Sequence, residues 1–378
     1  MTVTLQNQAY ENMVVLYMAL ELSNKSWKVC FGDGKRRRRV SVDAGDMARL
    51  REQIDLARKK FGLAKDCRVV SCYEAGRDGF WLHRCLLSQG IENVVVDSSS
   101  IEVSRRQRRA KTDRLDVEAL ERLLIRYVGG EQRVWSVVRV PSRADEDCQR
   151  LCRERDRLIK ERGAHTSRIK SLLVAQGIRL DLRGDFEQAL ESVRLWDGSA
   201  LSVDLKAELL REWRRRSQVQ AQIDALEREQ RVRVKSAQEG PACLVRQLMT
   251  LKSVGWQSSW PLVMELFGWR KFANRRQLAG CVGLSPSPYN SGDSERDQGI
   301  SKAGNRRVRR VLIELSWLWI RYQPDSEITQ WFNRRWADQG KRARRVGIVA
   351  VARRLVILLW RYLEAGVLPA GVILQASR

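Results

Sequence analysis

The first third of the chain alternates short apolar runs with segments of helical periodicity, and this alternation limits the fold more than any other feature. Three consecutive strands are predicted at Val14 to Leu20, Trp27 to Phe31 and Arg39 to Val42, because apolar and β-branched residues cluster there between turn residues. Helices and strands then follow in turn, predicted at Met47 to Phe61, Arg68 to Tyr73, Phe80 to Ser88, Asn93 to Asp97 and Arg114 to Tyr127. The predicted order is therefore β-β-β-α-β-α-β-α.

This order matches the ribonuclease H-like (RuvC-like) fold, a mixed sheet with helices packed on its faces. Carboxylates in that fold cluster on the first strand, at the end of the fourth strand and on one face of the last helix. Those places hold Glu21, Glu74 and the pair Asp113 and Asp116. Four acids brought together repel one another unless a cation lies among them, so they indicate either a divalent-metal site or an error in the fold assignment. Taken singly, each acid is more typical of a solvated carboxylate, and Asp113 could cap the helix that begins at Arg114.

The chain is strongly basic, with 70 Lys and Arg residues against 45 Asp and Glu residues, a formal net charge of +25 and a pI near 10.3. Nucleic acid is the expected partner of such a protein, although a ribosomal or chromatin-type binder would share the charge. A dense basic run directly precedes the last acid pair and consists of Arg105, Arg106, Arg108, Arg109 and Lys111. A polyanion bound to this run would lie within reach of the two acids.

Three domains are predicted, at residues 12–130, 142–235 and 241–365. The first is the α/β domain, and the second carries long helical patterns rich in Arg and Glu that predict a coiled coil. A plain helical hairpin and a dimerisation arm are both compatible with that pattern. The third is an α-rich domain. No signal peptide or membrane span is predicted, so we expect a cytoplasmic protein without a membrane partner.

A segment rich in Gly and Ser lies within the third domain, between Gly283 and Asn305, and is predicted to form a flexible loop. Lys302 near the end of this loop, and the basic helix after it through Arg306, Arg307, Arg309 and Arg310, could bind phosphates. The residues alone leave Ser291, Ser294 and Ser301 open as candidate nucleophiles. Because no histidine lies nearby to act as a base, hydrolysis by a catalytic triad is not expected.

Two separated motif regions resemble the DEDD-type transposases of the insertion sequence 110 family, which are related to the Piv DNA invertases. The N-terminal region comprises Tyr73 to Trp81 and Arg108 to Asp116. The C-terminal region comprises Gly283-Leu284-Ser285-Pro286, Ser291-Gly292 and the run Gly299 to Asn305. The resemblance covers most of the chain, with the motifs in the family's order.

The resemblance implies a recombinase of an insertion sequence with a RuvC-like domain, a coiled-coil linker and a C-terminal transposase domain that bears a nucleophilic serine. By motif position that serine is Ser291. It would form a covalent phosphoserine bond to DNA, while the magnesium-binding acids Glu21, Glu74, Asp113 and Asp116 assist from a neighbouring subunit of a dimer or tetramer. A non-coding bridge RNA would pair with donor and target DNA, which agrees with our finding no dedicated base-reading module in the sequence.

One residue departs from the family pattern, since Glu21 stands where the first strand usually carries Asp. The extra methylene moves the carboxylate by about 1 to 1.5 Å, and magnesium demands near-octahedral geometry. Two other functions therefore stay open from the sequence. One is a metal-dependent, junction-resolving endonuclease that cuts with water. The other is a non-catalytic RNA-binding scaffold with a decayed metal site.

Overall fold

The computed structural model describes residues 14–101, 113–131, 133–182, 184–291 and 294–375, and of residues 113–115, 287–291 and 294–298 it describes the backbone alone. The basic run from Arg105 to Lys111 lies outside the described residues. The chain divides between Val140 and Pro141 into two compact units. The helices that follow residue 142 and those that follow residue 241 belong to the same unit.

The described residues of the first unit form five strands and three α-helices, and their predicted order is confirmed with ends shifted by a residue or two. The strands are β1 (Val15–Glu21), β2 (Ser26–Gly32), β3 (Arg37–Asp43), β4 (Arg68–Glu74) and β5 (Glu92–Val96). The helices are α1 (Met47–Phe61), α2 (Trp81–Ser88) and α3 (Asp113–Val128). The Asp46 side chain caps α1 at its start, and Gly62 ends the helix in the left-handed conformation with φ 66°.

The five strands form one mixed sheet in the order β3-β2-β1-β4-β5. Strands β1, β2 and β3 are antiparallel neighbours, whereas β1, β4 and β5 run parallel. Successive side chains point to opposite faces of a strand, so β1 contributes Leu16, Met18 and Leu20 to one core and Val15 and Ala19 to another. Helix α1 packs with the first core and α3 with the second.

The second unit begins with a long antiparallel helical hairpin. Its arms are α4 (Arg143–Val174) and α6 (Val203–Ser236), and Ser142 starts the first arm in a capping box with Asp145. Leu158, on the first arm, packs with residues of the second. The connection between the arms contains a short helix, α5 (Phe186–Ser192), whose Phe186 and Leu190 pack in an apolar cluster with residues of both arms.

The rest of the second unit is a helical core with one β-hairpin. Its elements are α7 (Pro241–Met249), α8 (Trp256–Leu262), a π-helical turn (Val263–Phe267), α9 (Arg275–Cys281), β6 (Pro286–Ser291), β7 (Ser294–Ile300), α10 (Arg306–Tyr322), α11 (Glu327–Trp336) and α12 (Lys341–Ala365). Helix α12 lies in the core of this unit, since Val351, Leu355 and Leu359 are buried there. Within the described part of the chain, no helix is both long and apolar enough to cross a lipid bilayer.

The prediction of a flexible loop between Gly283 and Asn305 is wrong, because β6 and β7 pair as an antiparallel hairpin. Its strands lack the apolar alternation that marks a half-buried strand, and β6 contains Pro286 and Pro288. Proline is tolerated here because a two-stranded sheet consists of edge strands, whose outward groups need no ladder partner. The sequence therefore carries little signal for this hairpin.

Candidate active site

Two of the predicted acids end neighbouring parallel strands. Glu21 is the last residue of β1 and Glu74 the last of β4, and the register that pairs Leu20 with Tyr73 brings the two acids next to each other along the same sheet edge. Both are half-buried. By strand alternation they lie on the same face as Ala19, which is the face that α3 covers.

Two ion pairs connect α3 with β3. Arg37 Nε donates to Glu121 Oε2 at 2.7 Å, and Arg39 pairs with Glu118 one helical turn earlier. The two arginines are two residues apart on β3, so their side chains reach from the same face of the strand. The pairs therefore fix the direction of α3 across the sheet.

The strand register carries this direction over to β1. Through their partners on β2, Arg37 lies level with Tyr17 and Arg39 lies level with Ala19. Moving toward the start of α3 therefore means moving along β1 toward Glu21. The first turn of the helix lies toward the sheet edge where the two strand acids end.

Asp113 and Asp116 belong to that first turn. Asp113 is its first residue, and Asp116 is half-buried beside Val117, which packs in the core beneath the helix. Among the side chains that the structure describes, no group of three or more His, Cys, Asp or Glu residues is close enough to hold a metal ion. The side chain of Asp113 lies outside that set.

Glu121 was not predicted and is the most buried acid among the described side chains of this unit, with 1% of its surface exposed. Burial raises the pKa of Glu121 by more than the charge and hydrogen bond of Arg37 lower it. A Cβ at Gly32 would lie 2.0 Å from Glu121 Oε1, so a glycine is needed opposite this carboxylate. The sequence did contain a sign of Glu121, because this acid occupies a position on the face of α3 that is otherwise apolar and buried.

The proposed nucleophile lies on the β-hairpin of the second unit. Ser291 is the last residue of β6 and pairs with Ser294, the first residue of β7; the side chains of both lie outside the described residues. At the base of the hairpin, the backbone N–H of Ser301 donates to the carbonyl of Ser285 at 2.9 Å, and that of Lys302 to the carbonyl of Gly283 at 3.2 Å. The strand pairing thus continues to the base.

Glycines allow the two ends of the hairpin to approach closely. Gly283 has φ 68°, and a Cβ there would lie 1.8 Å from the carbonyl oxygen of Ala303. Gly304 has φ 84°, and a Cβ there would lie 2.1 Å from the carbonyl oxygen of Cys281. Both positions therefore require glycine for space as well as for backbone conformation. Arg309 reinforces the contact, since its Nη1 donates to the carbonyl of Ala303 at 3.3 Å.

The predicted phosphate-binding cations of this unit differ in their surroundings. Lys302 and Arg306 are exposed, whereas Arg307 Nε and Arg310 Nη2 donate to the Asp156 carboxylate at 2.5 Å and 3.1 Å. An open cleft of about 660 Å³ is lined by Asp156, Lys160, Asn305, Arg306, Arg307, Arg309, Arg310, Ile313 and Glu314. Cations line this cleft in excess over acids, which suits an anionic ligand.

Arg307 also bonds to an acid that was not predicted from the sequence. Its Nη1 donates to Glu265 Oε1 at 2.9 Å, and Glu265 is only 2% exposed. A signal for Glu265 was present, since it is a single charge inside the apolar run from Leu262 to Phe267. Such a charge within buried sequence calls for buried partners.

The chain is similar to known transposases. The family model described as "Transposase IS116/IS110/IS902 family" matches residues 245–330, which include the β-hairpin. "Putative transposase y4rJ" of Sinorhizobium fredii is 40% identical over 95% of this chain and 94% of its own length. The transposase for insertion sequence element IS1111A of Coxiella burnetii is 24% identical over 61% of this chain and 60% of its own length.

Proposed function

We propose that this chain, which belongs to the IS116/IS110/IS902 family of transposases, is the recombinase of an insertion sequence. In this proposal it cleaves and rejoins DNA. The observation that carries the proposal is the 40% identity to a transposase along nearly the whole of both chains. The excess of basic residues supports a nucleic-acid substrate.

The first unit, in this proposal, is a RuvC-like domain whose acids form a metal site. The sheet order β3-β2-β1-β4-β5 and its mixture of antiparallel and parallel pairs support that fold. Glu21 and Glu74, with Asp113 and Asp116 from α3, would hold Mg²⁺ or Mn²⁺, since a set made only of carboxylates suits a hard cation. When bound, such an ion stabilises negative charge on phosphate oxygens.

Ser291 is the proposed nucleophile. Its hydroxyl oxygen bonds to the phosphorus of the DNA backbone while the bridging P–O bond of that strand breaks, which leaves a free hydroxyl on the departing DNA end. In the reverse step, the hydroxyl of another strand attacks the phosphoserine, restores a phosphodiester and releases the serine. The energy of the phosphodiester bond is conserved throughout, so rejoining needs no other energy source.

A bridge RNA selects the donor and target DNA in this proposal, and the protein acts in the cytoplasm as a dimer or tetramer whose acids assist the serine of a neighbouring subunit. The basic residues between Arg105 and Lys111, together with Lys302 and Arg306, contact nucleic-acid backbones. Base pairing by the RNA then supplies the sequence choice that backbone contacts do not.

A covalent-adduct assay tests the proposal. The purified protein is incubated with Mg²⁺, the RNA transcribed from the element's flank and a labelled duplex spanning one element end, and the products are separated under denaturing conditions. We expect labelled protein for the wild type, none for Ser291→Ala, and undiminished label for the control Ser294→Ala, across the hairpin from Ser291.

Two outcomes would contradict the proposal and favour the other functions. Free DNA ends that depend on metal, with no adduct from the wild type, would indicate a junction-resolving nuclease. A Glu74→Ala, Asp116→Ala double variant that matches the wild type in RNA affinity and in every DNA assay would indicate a non-catalytic RNA-binding scaffold.

A further inference from the structure

We infer that Glu265 is a positioning residue, which holds the base of the Ser291 hairpin through Asn305 and ties that base to helix α4 through Arg153. The inference rests on the proposed function, because it assigns Glu265 a part in presenting the serine. The position of the residue is the first observation in its favour. It lies on the π-helical turn Val263–Phe267, and turns of that kind occur often at functional sites.

The carboxylate of Glu265 is held on both oxygens by side chains from two other elements. Arg153 donates through Nε to Oε1 at 2.8 Å and through Nη2 to Oε2 at 2.9 Å. Arg307 Nη1 donates to Oε1 at 2.9 Å, and Asn305 Nδ2 to Oε2 at 3.2 Å. Each oxygen thus accepts two hydrogen bonds, and the bidentate pair with Arg153 fixes the plane of the carboxylate.

The charge of Glu265 is preserved despite its burial. Burial alone raises the pKa of this carboxyl, but the hydrogen bonds and charges of Arg153 and Arg307, with the bond from Asn305, lower the pKa below its ordinary value. A buried carboxylate with all of these donors has one preferred position. It therefore acts as a fixed point for the residues that bind it.

Asn305 connects this fixed point to the hairpin. Its Oδ1 caps α10 by accepting from the backbone N–H groups of Arg307 and Val308, while its Nδ2 binds Glu265. Its own backbone N–H donates to the carbonyl of Cys281 at 2.9 Å, in the segment that leads into the hairpin. Asn305 thus joins the start of α10 and the buried acid through its side chain, and the base of the hairpin through its backbone.

Arg153 extends the connection to the helical hairpin, because it lies on α4. A displacement of α4 would pull on Glu265 and hence on the base of the strands that end at Ser291 and begin at Ser294. The bond from the side-chain amide of Asn305 to Glu265 is the last step in this connection between α4 and the hairpin base. Removing the amide while keeping the cap separates the positioning role from helix stability.

The test variant is Asn305→Ser, since serine is a good N-cap but cannot reach Glu265 with an amide. Its control is Asn274→Ser, the same change at the N-cap of α9, where Oδ1 also accepts from two backbone N–H groups. Each full-length variant is compared with the wild type in thermal unfolding, DNA affinity, amide hydrogen exchange at Ser301, Lys302 and Asn305, and the rate of serine–DNA adduct formation on saturating DNA.

We expect Asn305→Ser to slow adduct formation by about tenfold or more, since misplacing a reactive group is costly, and to speed exchange at the three amides. Its DNA affinity and thermal midpoint should stay close to those of Asn274→Ser. An adduct rate for Asn305→Ser equal to that of the control would overturn the inference, as would unchanged exchange.

Asn305→Asp gives a second, pH-dependent readout. It keeps the cap but sets a carboxylate against Glu265, so the two negative charges repel at neutral pH. As the pH falls, the pair should take up one proton and regain a hydrogen bond, so the adduct rate of Asn305→Asp relative to wild type should recover. A ratio that does not change with pH would contradict the positioning role.

The two proposals fail in different ways. If the wild type forms no serine adduct, the proposed chemistry is wrong, and the exchange measurement still decides whether Glu265 and Asn305 hold the hairpin base. If the wild type forms the adduct and Asn305→Ser forms it equally fast, the chemistry stands and the positioning role is wrong.

Discussion

The two compact units each bury a carboxylate, and the two carboxylates are treated differently. Glu121 in the first unit and Glu265 in the second are 1% and 2% exposed. Glu121 accepts from Arg37 through one oxygen, and its other oxygen has no hydrogen-bond partner among the described residues. Glu265 accepts from Arg153, Arg307 and Asn305 through both oxygens. The pKa of Glu121 is raised and that of Glu265 is lowered.

The difference teaches that the number of donors, rather than the depth of burial, decides whether a buried acid becomes a fixed point. It also matches what each region needs. In the first unit the register of the sheet already brings Glu21 and Glu74 to one edge. Glu121 therefore only holds α3 against the sheet, through its bond with Arg37. In the second unit a two-stranded hairpin, which is marginal alone, depends on contacts at its base.

The largest expected effect separates the chemical contributions of the two regions. Glu74→Ala and Ser291→Ala should each lower recombination of a donor and a target plasmid by about a thousandfold or more. If the serine and the acids of one site come from different subunits, a mixture of the two variants should recover measurable recombination. A mixture as inactive as either variant alone would contradict sharing between subunits.

Substituting alanine for two tightly enclosed glycines, one in each unit, tests how rigid the surroundings of each are. The measured quantity is the loss of unfolding free energy. Gly283→Ala meets the backbone oxygen of Ala303 at 1.8 Å and should cost about 4 kcal/mol of unfolding free energy. Gly32→Ala meets the side chain of Glu121 at 2.0 Å, which can rotate away, and should cost about 2 kcal/mol. Chemical denaturation measures both, with Gly280→Ala as the control because a Cβ there meets nothing within 4 Å. Equal costs at positions 283 and 32 would contradict the difference in rigidity.

Neutral replacements of the two buried acids should differ in the same sense. Glu265→Gln leaves Arg153 without its charged partner and Arg307 with Asp156 alone, and it should cost about 3 kcal/mol. Glu121→Gln removes a carboxylate that is only partly paired and should change stability by less than about 1 kcal/mol. Denaturant unfolding at neutral pH gives both values, and a larger loss for Glu121→Gln would break the comparison.

The smallest expected effect is an opposite pH dependence. The pKa of Glu265 lies below its ordinary value of 4.5, so its contribution to stability is present above that pH and is lost as the pH falls through the lowered pKa. The pKa of Glu121 lies above 4.5, so stability falls as the pH rises from 4.5 through the raised pKa. Differences in unfolding free energy between the wild type and each Gln variant should therefore slope in opposite directions with pH. Parallel slopes would contradict the assigned shifts.

The order of elements in the first unit follows from sequence because apolar periodicity is local, and Met47 to Phe61 was predicted to the residue. The position of Glu74 at the end of a strand follows from the same pattern. The β-hairpin was missed because its strands are polar. The Glu265 network was missed because Arg153 and Glu265 are 112 residues apart, and such a pairing exists only once the helices have packed. Arg307 illustrates the consequence, since its charge predicted a phosphate contact and the structure places it on two carboxylates.

Ser291 carries the covalent bond to DNA in the proposed mechanism, and peptide mapping of the adduct identifies the residue that is bonded. The adduct is trimmed with nuclease, digested with protease and analysed by mass spectrometry. We predict a residual nucleotide on the serine at position 291 and on no other residue. A nucleotide on Ser294, Ser301 or any other side chain, or cleaved DNA without a modified peptide, would contradict the claim.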